Sequence, residues 1–249
     1  MMKLLALEAS ANSVSIAVQN ARLRFSCEMP ASSKTSAWLI PSLIQLLEDA
    51  QLQLSSLDAV LFGQGPGAFT GLRTVCSVVQ GLAMGAHEKL PIVGVDTLHQ
   101  LAQAALNAQE SPDSSRFVSI LDARMDEWYV GAYEYSNNQW SVVQSPVLCK
   151  PHQLALPKDW SRSSFSVSTN LEPAALNAGV SLELQGRISR LFPATPHATL
   201  CLDLFPWLTH SAVRSHDFCD PLRATPIYIR DQVALTTRER ELAKLAEPK

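Results

Sequence analysis

Residues 63–73 read GQGPGAFTGLR, a stretch that holds four of the chain's ten glycines. It follows an apolar run at 59–63 and precedes a periodic one from Thr70 to about residue 87, so it joins a strand to a helix. A Walker loop needs GxxxxGK followed by Ser or Thr, and this loop has no lysine. A dinucleotide fingerprint needs a third glycine where Thr70 stands. What remains is a glycine turn, Thr70 as the expected helix N-cap, and backbone amides at a helix start that could hold an anion. The simpler reading, a tight turn letting the helix pack closely, is the preferred one. Arg73 in the first turn opposes the helix dipole at a cost of ~0.3–1 kcal/mol. Its offset is expected from Glu8 or Asp122, or from a carboxylate on a ligand or partner.

Working outward, 3–7 reads as a buried strand, 13–18 alternates Val14, Ile16 and Val18 with small or polar residues, and a third strand follows at 23–27. Residues 36–50 change to helical spacing, with Pro41 expected in the first turn. Strand 92–95 and a helix over 96–108 complete the unit. A second meander follows at 117–122, 128–134 and 140–143, with a turn at Ser136, Asn137 and Asn138. Glu8 and Asp122 end the first strand of each meander, which suggests duplication. The polar run 109–115 is the expected linker, giving domains over 1–110 and 111–235 and a tail or helix over 236–249. Beyond Pro151, strands are placed at 165–168 and 226–229, and helices near 173–177, 197–208 and 238–245.

Over 249 residues, 47% apolar and 17% charged content excludes disorder, and a net charge of −3 without a basic cluster argues against strong independent nucleic-acid binding. Arg223, Arg230, Arg238 and Arg240 would form only a small patch. Five scattered cysteines without CxxC spacing argue against a disulfide framework or zinc knuckle and fit a reducing cytoplasm. Glu8 interrupts the N-terminal apolar run, so no signal peptide is expected. The longest apolar stretch, 75–86, is shorter than the ~20 residues that span a bilayer.

The helices over 36–50 and 70–87 carry wider apolar arcs than one sheet can cover, which usually means a layered core and, in the sharper reading, an interface with another chain. Trp38, Leu39, Leu43, Leu46 and Leu47 on the first, with Arg73, Val75, Val78, Val79 and Leu82 on the second, are the candidate partner interface. His87, His99, His152, His197, His210 and His216 form no HxxxH pair for a shared metal. Glu8 and Asp122 are the candidate remnants of a magnesium and nucleotide site, but the hairpin at 8–12 has no glycine to admit phosphate oxygens. No Ser or Cys sits in a nucleophile elbow. No catalytic, metal or cofactor-binding residue is therefore assigned. Asp122 and Arg124 are read as a local ion pair.

GPGAFTGLR at 65–73, LDARMDEWY at 121–129 and PIYIRD at 226–231 together resemble the TsaB (YeaZ) family, with Gly65, Pro66, Gly67, Phe69, Thr70, Gly71, Arg73, Asp122, Arg124, Tyr228 and Arg230 as the motif residues. The resemblance implies an α/β, actin-like (ribonuclease-H-like) fold of two related domains, each with a mixed sheet flanked by helices. It implies a scaffold that is not catalytic on its own, a subunit in threonylcarbamoyl transfer to the adenosine next to the anticodon of tRNA. Its partner would be the catalytic paralogue TsaD, bound through the N-terminal helices, with the ATPase TsaE reached through the complex and homodimers through the same helices. Contact with tRNA would be indirect, and ATP or ADP would belong to the complex. The alternative is an independent actin-like ATPase or phosphotransferase using Glu8 and Asp122. This chain departs from the family pattern at Leu7-Glu8-Ala9-Ser10, Thr35-Ser36-Ala37 and Ser168-Thr169-Asn170, each of which disfavours nucleotide binding.

Overall fold

The computed structural model describes residues 2–32, 34–86, 90–110, 114–210, 220–221 and 224–230. Strands β1 (Lys3–Glu8), β2 (Ser13–Asn20) and β3 (Leu23–Pro30) form the first meander, followed by α1 (Thr35–Asp49), β4 (Ala59–Gly65), α2 (Phe69–Gly85), β5 (Ile92–Asp96) and α3 (Thr97–Asn107). The second half runs β6 (Ser114–Asp122), β7 (Trp128–Ser136), β8 (Gln139–Cys149), β9 (Phe165–Thr169), α4 (Pro173–Gly179), α5 (Leu182–Gln185), β10 (Ile188–Pro193) and α6 (Ala198–His210).

The sheets are ordered β3-β2-β1-β4-β5 and β8-β7-β6-β9-β10. In both, the first three strands pair antiparallel and the remaining two join in parallel. The same topology occurs twice, as the two meanders led one to expect, and it is the actin-like fold. Asn137 and Asn138, at φ 52° and 59°, make the β7–β8 turn, because asparagine tolerates the left-handed conformation that a two-residue hairpin requires.

Alternation along the strands sends Leu5, Leu7, Val60, Phe62 and Ile92 to one face of the first sheet, where α1 and α2 cover them. Leu4, Ala6, Ala17, Leu61 and Val95 point to the other face, which α3 and α6 cover. The alanines let those helices approach closely. The same cluster holds Phe117, Leu121 and Tyr133 from the second sheet, so α3 lies between the two sheets. Sequence order assigns α6 to the second half, yet it packs on β1, β2 and β4. Trp160, Leu176 and Val180 close the outer face of the second sheet.

Several sequence expectations need correction. Pro41 lies inside α1 rather than in its first turn. It is tolerated because it and Ala37, whose carbonyl it leaves unbonded, are both on the exposed side. Residues 226–229 form no sheet strand; among the described residues the segment is tied by the Ile227 N–H to Gln64 O at 2.8 Å. β10 and α5 went unread because both are short and lack periodicity. The expected helix at 238–245, with Cys219, Arg223, His87 and His216, lies outside the described residues. Among the described residues, Cys27, Cys149 and Cys201 are free thiols.

Asp96 caps α3, accepting the Leu98 N–H at 2.8 Å and the Tyr133 hydroxyl at 2.5 Å. Burial raises its carboxyl from 3.8 to about 6. Burial lowers neighbouring His99 to about 3, so that ring stays neutral. The folded state holds the Asp96 proton more tightly than the unfolded chain does. Its stabilisation is therefore complete below the ordinary carboxyl value and is lost as pH rises through 6. At 1.36 kcal/mol per unit the ceiling is about 3 kcal/mol, discounted to about 1–2 because Asp96 retains some solvent contact. Urea unfolding between pH 4 and 7 is expected to show this loss in the parent protein and not in Asp96→Asn. An equal slope in both would refute the assignment.

Candidate functional site

The glycine turn enters α2 by contact rather than by a cap. Gly65 has φ +106°, a backbone conformation that side chains resist. A Cβ on Gly67 would collide with the Ser10 carbonyl, and one on Gly71 with the Ala9 carbonyl. The Ala68 N–H donates to Ser10 O at 2.6 Å. The glycines thus press the start of α2 against the β1–β2 turn, which is the preferred reading of the loop. Thr70 is not the N-cap: α2 begins at Phe69, Ala68 holds the cap position without a side-chain bond, and the Thr70 carbonyl accepts the Thr74 hydroxyl at 2.9 Å. Contact with Ser10 draws the chain into the helix before Thr70 can cap it.

Arg73 does not meet Glu8 or Asp122. Its guanidinium lies 3.6 Å over the Phe69 ring, and its Nε donates to the Tyr228 hydroxyl at 3.2 Å. An aromatic face and a phenol oxygen thus take the place of the expected carboxylate.

The two carboxylates have different fates. Glu8 is 1% exposed and turned inward over Gly63, where a Cβ would occupy the carboxylate's space. It accepts the Ser10 N–H at 2.6 Å and the Gln100 side-chain amide. Burial raises its pKa, and these hydrogen bonds act against that rise. Asp122 instead lines a 270 Å³ cleft between the two halves, accepts the Arg124 N–H at 2.8 Å and pairs with its guanidinium at 3.4 Å, the expected local ion pair. The structure therefore gives Glu8 to the core and Asp122 to the cleft.

Around that cleft the motifs meet: Gly67 and Phe69 from the first, Asp122 and Arg124 from the second, Tyr228 and Arg230 from the third. Asn12 and Asn170, which sequence reasoning did not single out as site residues, complete it. Asn12 accepts from the Arg124 guanidinium at 3.1 Å, and Asn170 accepts the Asp122 N–H at 3.1 Å. Ser168 donates to Leu101 O at 2.6 Å and Thr169 accepts the Leu171 N–H at 3.0 Å, so these side chains serve the fold.

The helix pair also divides differently from expectation. Leu39, Leu43, Leu46 and Leu47 of α1, with Val75 and Val79 of α2, are buried against the first sheet. Helical periodicity groups apolar residues but does not say which flank meets the sheet when the apolar arc is wide. Trp38, Val78 and Leu82 are half-buried at the edge of that core. The outward surface belongs to Ile40 (40% exposed), Ile44 (50%), Phe69 (44%) and Met84 (69%), with exposed Arg73 beside them. Ile40 and Ile44, four apart and one residue off the buried Leu39–Leu43 stripe, were the available signal. Gly81 and Gly85 have nothing within 4 Å of a would-be Cβ, so the outer side of α2 is low there.

Comparison with known proteins places this architecture. The family model described as TsaD, tRNA N6-adenosine threonylcarbamoyltransferase, matches residues 29–193. The chain is 29% identical over 238 residues to the tRNA threonylcarbamoyladenosine biosynthesis protein TsaB of Haemophilus influenzae, covering 92% of this chain and 94% of that one. It is 31% identical over 152 residues to TsaB of Escherichia coli, covering 60% and 63%. The solved structure of YeaZ from Pseudomonas aeruginosa superposes with TM-score 0.78 at 29% identity, over 92% of this chain and 100% of that one. The chain thus belongs to the family of the threonylcarbamoyltransferase model, the two-lobed actin-like proteins just described. Within it, the chain is a member of the TsaB (YeaZ) family. Among the described residues, no helix is long and apolar enough to cross a membrane.

Proposed function

We propose that this protein acts in tRNA threonylcarbamoyladenosine biosynthesis as a scaffold that activates a catalytic paralogue of the TsaD type, without performing the transfer itself. The observation that carries the reading is the outward apolar surface of Ile40, Ile44, Phe69 and Met84 on two neighbouring helices. A fold already closed on the other flank of those helices has no internal use for Ile40, Ile44 and Met84, while Phe69 also packs on Tyr228. The names of the curated relatives supply the pathway. A homodimer would use the same surface, the ATPase TsaE would be reached through the complex, and tRNA contact would be indirect, all in the cytoplasm.

The independent ATPase reading is weakened by Glu8, whose carboxylate is enclosed and already bonded to Ser10 and Gln100. Holding magnesium there would require opening the core.

Co-purification with the TsaD-type paralogue, together with threonylcarbamoylation of tRNA in a reconstituted system, tests the scaffold. Ile44→Glu combined with Met84→Glu is expected to lower affinity by at least about a hundredfold while leaving the melting temperature within a few degrees. Leu43→Glu is unsuitable because Leu43 is 2% exposed and its loss would damage the core. Unchanged association in the double variant would end the proposal.

A further inference from the structure

The segment Ala224–Arg230 has more anchors than its lack of regular structure suggests. Gln80 of α2 donates to Ala224 O at 2.8 Å, Gln64 of β4 donates to Thr225 O at 3.1 Å, and Ile227 N–H returns a bond to Gln64 O at 2.8 Å. Tyr228 accepts from Arg73 and packs on Phe69 with ring centroids 5.1 Å apart. All of these anchors lie in the first lobe.

Two residues further on, the attachment changes lobes. The Arg230 guanidinium donates to Glu127 Oε2 at 2.5 Å and to the Arg124 carbonyl at 3.2 Å, and one Nη lies 3.3 Å from Met125 Sδ. These acceptors sit in the β6–β7 turn, where Arg124, Met125 and Asp126 have φ of 61°, 58° and 57°. Three successive left-handed residues without glycine are strained, and such turns persist only where their surroundings hold them. Arg230 spans the turn from Arg124 to Glu127 and is suited to do so.

We propose that Ala224–Arg230 is a strap that locks the two lobes at a fixed angle, with Arg230 as its clasp and as the positioning residue for the strained turn. The lobes are already joined through the core shared by α3 and α6. The strap joins them a second time along the cleft, where Ile227, Tyr228 and Ile229 form part of the wall. With two attachments the hinge motion available to a two-lobed fold is suppressed, and the cleft is held at its observed size. This inference does not depend on the scaffold role.

The test is hydrogen exchange on the full chain, resolved to single amides. The Ala123 N–H bonds Glu127 O, the Glu127 N–H bonds Arg124 O, and the Ile227 N–H reports the far end of the strap. Arg230→Ala is expected to speed exchange at all three by about tenfold or more, while amides of the β1–β4 ladder keep the parent rate. Glu127→Gln, which retains an acceptor but removes its charge, is expected to give the same pattern at smaller amplitude and serves if the alanine variant does not fold. An unchanged Ile227 amide, or a uniform rise across the molecule, would overturn the strap.

Discussion

Gly71→Ala is expected to destabilise the protein by about 2–4 kcal/mol, even though alanine is the better helix former by ~0.8–1 kcal/mol. The reason is local. A Cβ at this position falls inside the contact distance of the Ala9 carbonyl, which is backbone and cannot swing aside as a long side chain could. Relief requires moving either α2 or the β1–β2 turn, and both are fixed by the core on the α1–α2 face of the first sheet. For a chain of this size the loss corresponds to a melting temperature lower by roughly 5–15 °C. Gly81→Ala is the control, because nothing lies within 4 Å of its would-be Cβ and the helix should gain from the substitution. If Gly71→Ala melted with the parent, close approach would not be why glycine stands there.

Gln100→Leu is expected to cost about 2–4 kcal/mol at pH 8 and clearly less at pH 5. Its amide donates to the buried Glu8 carboxylate, and leucine removes that donor while the Ser10 N–H stays. Because burial already raises the Glu8 pKa, this group stabilises the fold most when protonated and loses that contribution as pH rises through its folded value. Removing Gln100 raises that value further, so the variant's deficit should grow with pH. Glu8→Gln should abolish the growth by removing the charge, and chemical denaturation of the two single variants and the double variant at both pH values reads it directly. A deficit independent of pH would mean that Gln100 contributes packing alone.

Much of the fold was legible because its signals are short-range. The alternation at Val14, Ile16 and Val18 places β2, and the asparagine pair at 137–138 marks the hairpin of the second meander. The acids ending β1 and β6 expose the duplication, although not their different burial. Glu8 turns inward because Gly63, on a neighbouring strand, leaves the space, and that is a contact between distant residues which no window of sequence contains. The same limit explains Arg73, whose partner Tyr228 lies 155 positions away. For the helix pair, Leu39 and Ile40 are equally apolar, and only the position of the sheet decides which faces the core. After Pro151 the chain uses brief turns at Pro151–Gln153 and Lys158–Trp160, which lack the length that periodicity needs.

The position of α6 sets an order of events during synthesis. Its residues cover Leu4, Ala6 and Leu61, so β1, made early, waits for a helix near residue 200 before one of its sides is sealed. Until then the nascent first lobe carries an unsealed greasy side, the condition under which chaperones engage growing chains. A fragment ending at the boundary between the halves would keep that side open permanently, so the two lobes mature as one unit despite their repeated plan.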